Sequence, residues 1–215
     1  MKRILITDKL KLVADKYKQD LCAMNGETPL DRLQRLKRSM KQNKYKEYID
    51  AIINNYDDIV TLKPSVMLSY QSSHAPLNLP KQDLNKKFRN PFSSKPKGRA
   101  SNKKFWELIV LAMKYDDARV KFVKYVPELG VKACVYCNAQ FAITSVDNLA
   151  TYTLDHINAK STYPFLCTSF FNLIPCCASC NSMKKQGAGA FSPYTEDYSQ
   201  EFLPFEFELE KRSLL

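Results

Sequence analysis

Cys134-Val-Tyr-Cys-Asn138 and Cys177-Ala-Ser-Cys-Asn181 are two Cys-x-x-Cys pairs, and Leu154-Asp-His-Ile157 lies between them. Four thiolates at this spacing make a tetrahedral zinc site. Such a site closes a small loop and holds whatever sits inside it. The enclosed or adjoining residues are Asp155, His156, Asn172 and Asn181, which is a carboxylate, an imidazole and two amides. Cys176 abuts Cys177, but only Cys177 with Cys180 leaves the two-residue gap. Cys22 and Cys167 read as small packed hydrophobes.

The chain has 215 residues and a net charge of +11. Residues 1–130 carry 27 basic and 14 acidic side chains, and residues 131–215 carry 6 and 8. A basic front half joined to a near-neutral back half suggests a polyanion partner. No run of apolar residues is long enough to span a membrane. The first eight residues are too soon charged for a signal peptide. Seven cysteines in that setting point to metal or free thiols rather than disulfides, and the expected location is the cytoplasm.

Residues 1–61 are expected to be a basic helical region. Thr28 reads as an N-cap, Pro29 as the first helical residue and Asp31 as the closing acid. Leu30, Leu33, Leu36 and Met40, then Tyr48, Ile49, Ile52 and Ile53, recur at helical spacing. Arg35, Lys37, Arg38, Lys41, Lys44 and Lys46 take the opposite face. Five prolines interrupt residues 62–102, where little regular structure is expected and His74 reads as a solvated loop residue. Residues 81–104 hold nine basic side chains with Phe88 and Phe92 among them. That mixture either tracks a phosphate backbone or forms a plain basic linker. Residues 103–126 read as one helix anchored by Trp106. Residues 141–146 and 150–157 read as strands about an Asp147-Asn148 turn, and residues 178–185 as a short helix.

Phosphodiester hydrolysis needs a deprotonated water and a cation to neutralise phosphate charge. His156 can take a proton from water near cellular pH. Asp155 is a hard oxygen ligand for Mg²⁺ or Mn²⁺, and the Asn181 amide oxygen is a second. Asn172 is suited to bonding loop backbone or orienting His156. Lys184 and Lys185, three and four residues beyond Asn181, are placed to bind phosphate. The zinc has four sulfur ligands and no open position, so its role is structural.

Leu154-Asp-His-Ile157, Phe171-Asn-Leu-Ile174 and Cys177 to Lys185 together resemble the HNH endonuclease family, and Cys134 to Asn138 resembles its zinc-stapled branch. The resemblance covers residues 131–190. It implies an α+β chain in which a helical N-terminal region precedes a zinc-stabilised ββα-metal nuclease domain. The boundaries expected are 1–61, a Pro-rich basic linker at 62–102, and 103–215 for the nuclease domain. Asn181 stands where many family members have His. More loosely, Lys160 to Pro164, Ser169 to Pro175 and Phe191 to Tyr194 are similar to the HNH proteins of Septu-type anti-phage systems, some of which accompany retrons. That likeness implies an SMC/ABC-like ATPase partner, and it adds Lys160 to the substrate-binding candidates. The expected activity is metal-dependent cleavage of nucleic acid, DNA ahead of RNA. A tRNA-cutting effector on the same scaffold and a non-catalytic zinc adaptor are the alternatives.

Overall fold

Side-chain caps set where the first helices begin. The computed structural model describes residues 3–93, 101–144, 150–183 and 192–200. After a two-residue strand β1 (Ile4–Leu5), Thr7 accepts a hydrogen bond from the Leu10 amide at 3.2 Å and opens α1 (Asp8–Cys22). At α2 (Pro29–Ser39) the expected capping box is present. Thr28 Oγ1 accepts from the Asp31 amide at 3.2 Å, and the Asp31 carboxylate accepts from the Thr28 amide at 3.0 Å. A cap of this kind stabilises a helix by about 1 kcal/mol. α3 (Asn43–Asn54) and α4 (Tyr56–Thr61) follow. Leu33, Leu36, Met40, Tyr48, Ile49 and Ile52 are buried as their spacing predicts. Leu30, in the first turn of α2, is exposed instead. Much of the basic face is paired: Lys37 with Asp50 at 2.6 Å, Lys44 with Asp83 at 2.6 Å and Arg35 with Glu27 at 3.2 Å.

The expectation of an irregular stretch over 62–102 does not hold for the described residues. They form α5 (Pro64–Ser73), a 3₁₀ turn at Ala75–Leu77, α6 (Lys81–Leu84) and an antiparallel pair of strands, β2 (Lys87–Arg89) and β3 (Asn102–Lys104). Pro64 and Pro76 stand in the first turns of their elements, and Pro80 caps α6. There the missing N–H costs nothing, so these prolines start structure rather than break it. Met67, Leu77 and Leu84 from this segment enter the main core. His74 caps α5 and stacks on Tyr70 at 4.0 Å, so it is not a solvated loop residue.

The single helix expected over 103–126 is two, α7 (Phe105–Ala112) and α8 (Tyr115–Val123). Lys114 breaks them with φ at 53°, a left-handed conformation uncommon outside glycine. Phe105 is fully buried, whereas Trp106 is only partly buried and is not the anchor of this segment. Cys22 is exposed rather than packed, while Cys167 is buried.

β4 (Thr153–His156) pairs antiparallel with β5 (Leu173–Cys176), and α9 (Ala178–Met183) follows. Residues 141–144 contribute only isolated bridges, Ala133 to Phe141 and Thr144 to Ala150, rather than the expected strand. The Asp147-Asn148 turn lies outside the described residues. β6 (Tyr194–Thr195) returns to β1 in parallel, with Ile4 beside Tyr194, and ties the front of the chain to its back. Tyr17 of α1 sits at the centre of the core, edge-on to Phe122 at 5.5 Å and against Phe170 at 5.6 Å. One buried cluster therefore runs from Ile4 to Tyr194 and joins the helical region to the strand pair. Among the described residues, no helix is long and apolar enough to cross a membrane.

Candidate active site

Two tight turns bring the cysteines together. The Cys134 amide donates to the Gln140 carbonyl, and the Asn138 amide to the Cys134 carbonyl, each at 2.8 Å. Asn138 closes that turn at φ 53°, a conformation that Asn tolerates better than most residues. On the other side, the Cys180 amide donates to Cys177 Sγ at 3.4 Å. The sulfurs of Cys134, Cys137, Cys177 and Cys180 all lie within 4.8 Å of one another. Cys137 and Cys177 are 3.9 Å apart. A tetrahedron with zinc–sulfur bonds of about 2.3 Å has edges of about 3.8 Å, so the set fits zinc. The backbone amide of Ala139 helps lower the Cys137 thiol to about 7, which favours the thiolate that binds metal. Cys176 packs against this set without belonging to it, buried on β5 with its sulfur 3.6 Å from the Thr153 hydroxyl.

The strand pair sets out the remaining side chains. Thr153 faces Cys176, Asp155 faces Ile174 and His156 faces Leu173. Residues two apart on a strand share a face, so Thr153 and Asp155 point the same way. Asn181 Nδ2 donates to Thr153 Oγ1 at 3.1 Å, which puts Asn181 of α9 on that face with Asp155. Its Oδ1 is thereby turned away from the threonine. Asp155 Oδ2 accepts from the Tyr136 hydroxyl at 2.7 Å. Burial, and then the carboxylate, push the Tyr136 phenol far above its ordinary range, so it stays a donor.

His156 leaves the opposite face of β4. It is 9% exposed, its ring lies 4.8 Å from that of Tyr115, and Nε2 is 3.0 Å from the Cys167 carbonyl. A carbonyl only accepts, so Nε2 carries a hydrogen. Lys160 reaches the same aromatic ring, with Nζ 4.7 Å from its centroid. Asn172 is fully buried. Its Nδ2 donates to the carbonyls of Asn158 (3.1 Å) and Leu166 (3.0 Å), and Oδ1 accepts from the Asn158 amide (2.7 Å). It therefore clamps the loop whose Cys167 carbonyl holds His156. Lys184 and Lys185 lie outside the described residues.

Asp155 and Asn181 are thus brought to one face, with His156 next along the strand but directed to the other side. The oxygens of Asp155 and Asn181 are hard donors of the kind Mg²⁺ or Mn²⁺ takes. Sequence reasoning missed Tyr136, Thr153 and Tyr115. Tyr136 had a signal, since it lies inside the first Cys-x-x-Cys turn and is held by whatever the cysteines bind. Tyr115 had none.

Residues 134–187 match the family model of the HNH endonuclease. No curated protein and no solved structure matches the chain. The match begins at the first metal cysteine and takes in the strand pair and α9. The C-terminal part is accordingly an HNH domain, preceded by a helical N-terminal region.

Proposed function

We propose, from an HNH domain whose clustered cysteines bring the 134–138 turn against the start of α9, that the chain is a metal-dependent endonuclease that hydrolyses phosphodiester bonds in nucleic acid, DNA ahead of RNA. The observation that carries this reading is the shared face of Asp155 and Asn181, beside the strand end that bears His156. A divalent cation held by Asp155 and Asn181 would offset charge on the phosphate and its leaving oxygen. Every other part of the work falls to the chain. His156 takes a proton from the attacking water at Nδ1 while Nε2 stays bound to the Cys167 carbonyl, which keeps the ring in that tautomer. Water adds to phosphorus as the bridging oxygen leaves on the opposite side; the leaving oxygen takes its proton from solvent, and the imidazolium returns the proton it took to solvent. Asn172 is a positioning residue, acting through the 158–167 loop. Lys160, Lys184 and Lys185 are phosphate contacts.

The stretches at Lys160 to Pro164 and Ser169 to Pro175 support a finer reading, in which the chain serves as the nuclease subunit beside an SMC/ABC-like ATPase in anti-phage defence, alone or with a retron. A zinc module that binds without cutting is the second reading, and the burial of His156 behind Tyr115 favours it. Incubating the purified chain, with and without such an ATPase, with plasmid DNA and total tRNA in Mg²⁺ decides between them. Cutting that disappears in His156→Ala with zinc retained supports the nuclease. Cutting that survives the substitution excludes the mechanism, and no cutting of either substrate by the wild-type chain under any of these conditions favours the adaptor.

A further inference from the structure

The β2–β3 hairpin lies outside the residues that match the HNH model, and it carries a cluster of cations. Phe88 points inward, with its ring 4.8 Å from Tyr45 and 6.0 Å from Phe105. Strand alternation then turns Lys87 and Arg89 outward, and both are exposed. The register sets Lys104 directly opposite Lys87, and Asn102 opposite Arg89. Like charges at directly opposed positions destabilise a strand pair, because their Cβ atoms are only about 5 Å apart. Three cations on the neighbouring helices, Lys37, Lys44 and Arg35, are paired with carboxylates. Among the described residues, Lys87, Arg89 and Lys104 have no such partner.

The hairpin is also held firmly. Arg32 and Arg35 of α2 stack on Phe92, just past β2, at 4.2 and 4.8 Å. The Phe105 amide, at the start of α7, donates to the Lys86 carbonyl at 2.9 Å. An open groove of about 530 Å³ is lined by Arg89 and Lys41 among others. A rigid strand face with unneutralised cations next to a groove has the charge and shape that a chain of phosphates takes. The hairpin leads directly into α7, which packs on the Pro164–Leu166 turn that Asn172 clamps.

We propose that the outer face of the β2–β3 hairpin, with the adjoining groove, binds the phosphate backbone of the nucleic-acid substrate. This rests on the nucleic-acid substrate proposed above, but its test needs no cutting. Fluorescein-labelled duplex DNA, single-stranded DNA and RNA of one sequence are titrated with the full chain by anisotropy, in magnesium-free buffer without chelator so that zinc stays. Lys87→Ala/Arg89→Ala/Lys104→Ala is compared with Lys9→Ala/Lys16→Ala/Lys18→Ala, which removes equal charge from α1. The hairpin variant is expected to bind at least one of the probes about tenfold or more weaker, and its slope of log affinity against log salt to fall by about 2 to 3, since each lost phosphate contact removes about 0.9 for duplex DNA. The α1 variant is expected to change little. Thermal melting monitors the fold, and a glutamine triple variant at the same three positions replaces the alanine one if that melts early. Unchanged affinity and slope in the hairpin variant, or an equal loss in the α1 variant, overturns the proposal. Failure of the wild-type chain to cut would instead sink the nuclease reading and leave this result standing.

Discussion

The Tyr136 hydroxyl donates a 2.7 Å hydrogen bond to Asp155 Oδ2, and Tyr136 stands between two of the clustered cysteines. One side chain therefore couples the sulfur cluster to the carboxylate proposed to hold the catalytic cation. Tyr136→Phe removes the bond and little volume. Hydrogen bonds to charged groups contribute about 1.5–3 kcal/mol, so cleavage is expected to need more Mg²⁺ and to slow about tenfold or more. Zinc content should stay at the wild-type value. A magnesium titration of cleavage beside metal analysis checks this, and an unchanged titration would rule the coupling out.

Asn172 makes three hydrogen bonds from a fully buried position. Asn172→Ala leaves two carbonyls and an amide to find new partners inside the protein. The expected cost is about 3–5 kcal/mol, read as a lower midpoint in urea. A variant with wild-type stability would show that water replaces the side chain.

Tyr17 presents the opposite case. Its ring is packed on three aromatic neighbours, yet its hydroxyl is buried without a hydrogen-bond partner among the described residues. Burying an unpaired hydroxyl costs about 1–3 kcal/mol. Tyr17→Phe should therefore be neutral or raise the melting temperature by a few degrees, with zinc content unaltered.

The four sulfurs hold turns from distant parts of the chain, at residues 134–138 and 177–180. Cys180→Ser should lose bound zinc. In small zinc modules the metal supplies on the order of 10 kcal/mol of folding free energy. Here Phe165, Phe170 and Phe171 share the main core with α1 and α8, so the loss should fall mainly on the turns and α9. Hydrogen exchange is expected to rise over residues 131–144 and 176–183 and to change little in α1 to α3. Equal deprotection of those helices would contradict this.

The capping box at Thr28 and Asp31, the apolar faces of α2 and α3 apart from Leu30 and the choice of Cys177 over Cys176 were legible from spacing. Each depends on residues within one or two turns of each other. The order inside 62–93 was not legible, because a proline that opens a helix and one that ends it look alike until the next element packs. The break at Lys114 had no glycine or proline to mark it.

The sequence by itself determined the sulfur ligand set, the capped start of α2 and the identity of the HNH motif. These rest on ligand chemistry and short-range hydrogen bonds, which travel with local spacing. Only the tertiary structure decided that Asp155 and Asn181 share a face while His156 is covered by Tyr115, and that Lys87 stands against Lys104. Strand register and burial come from contacts between segments far apart in the chain, and no local pattern encodes which face will meet which neighbour.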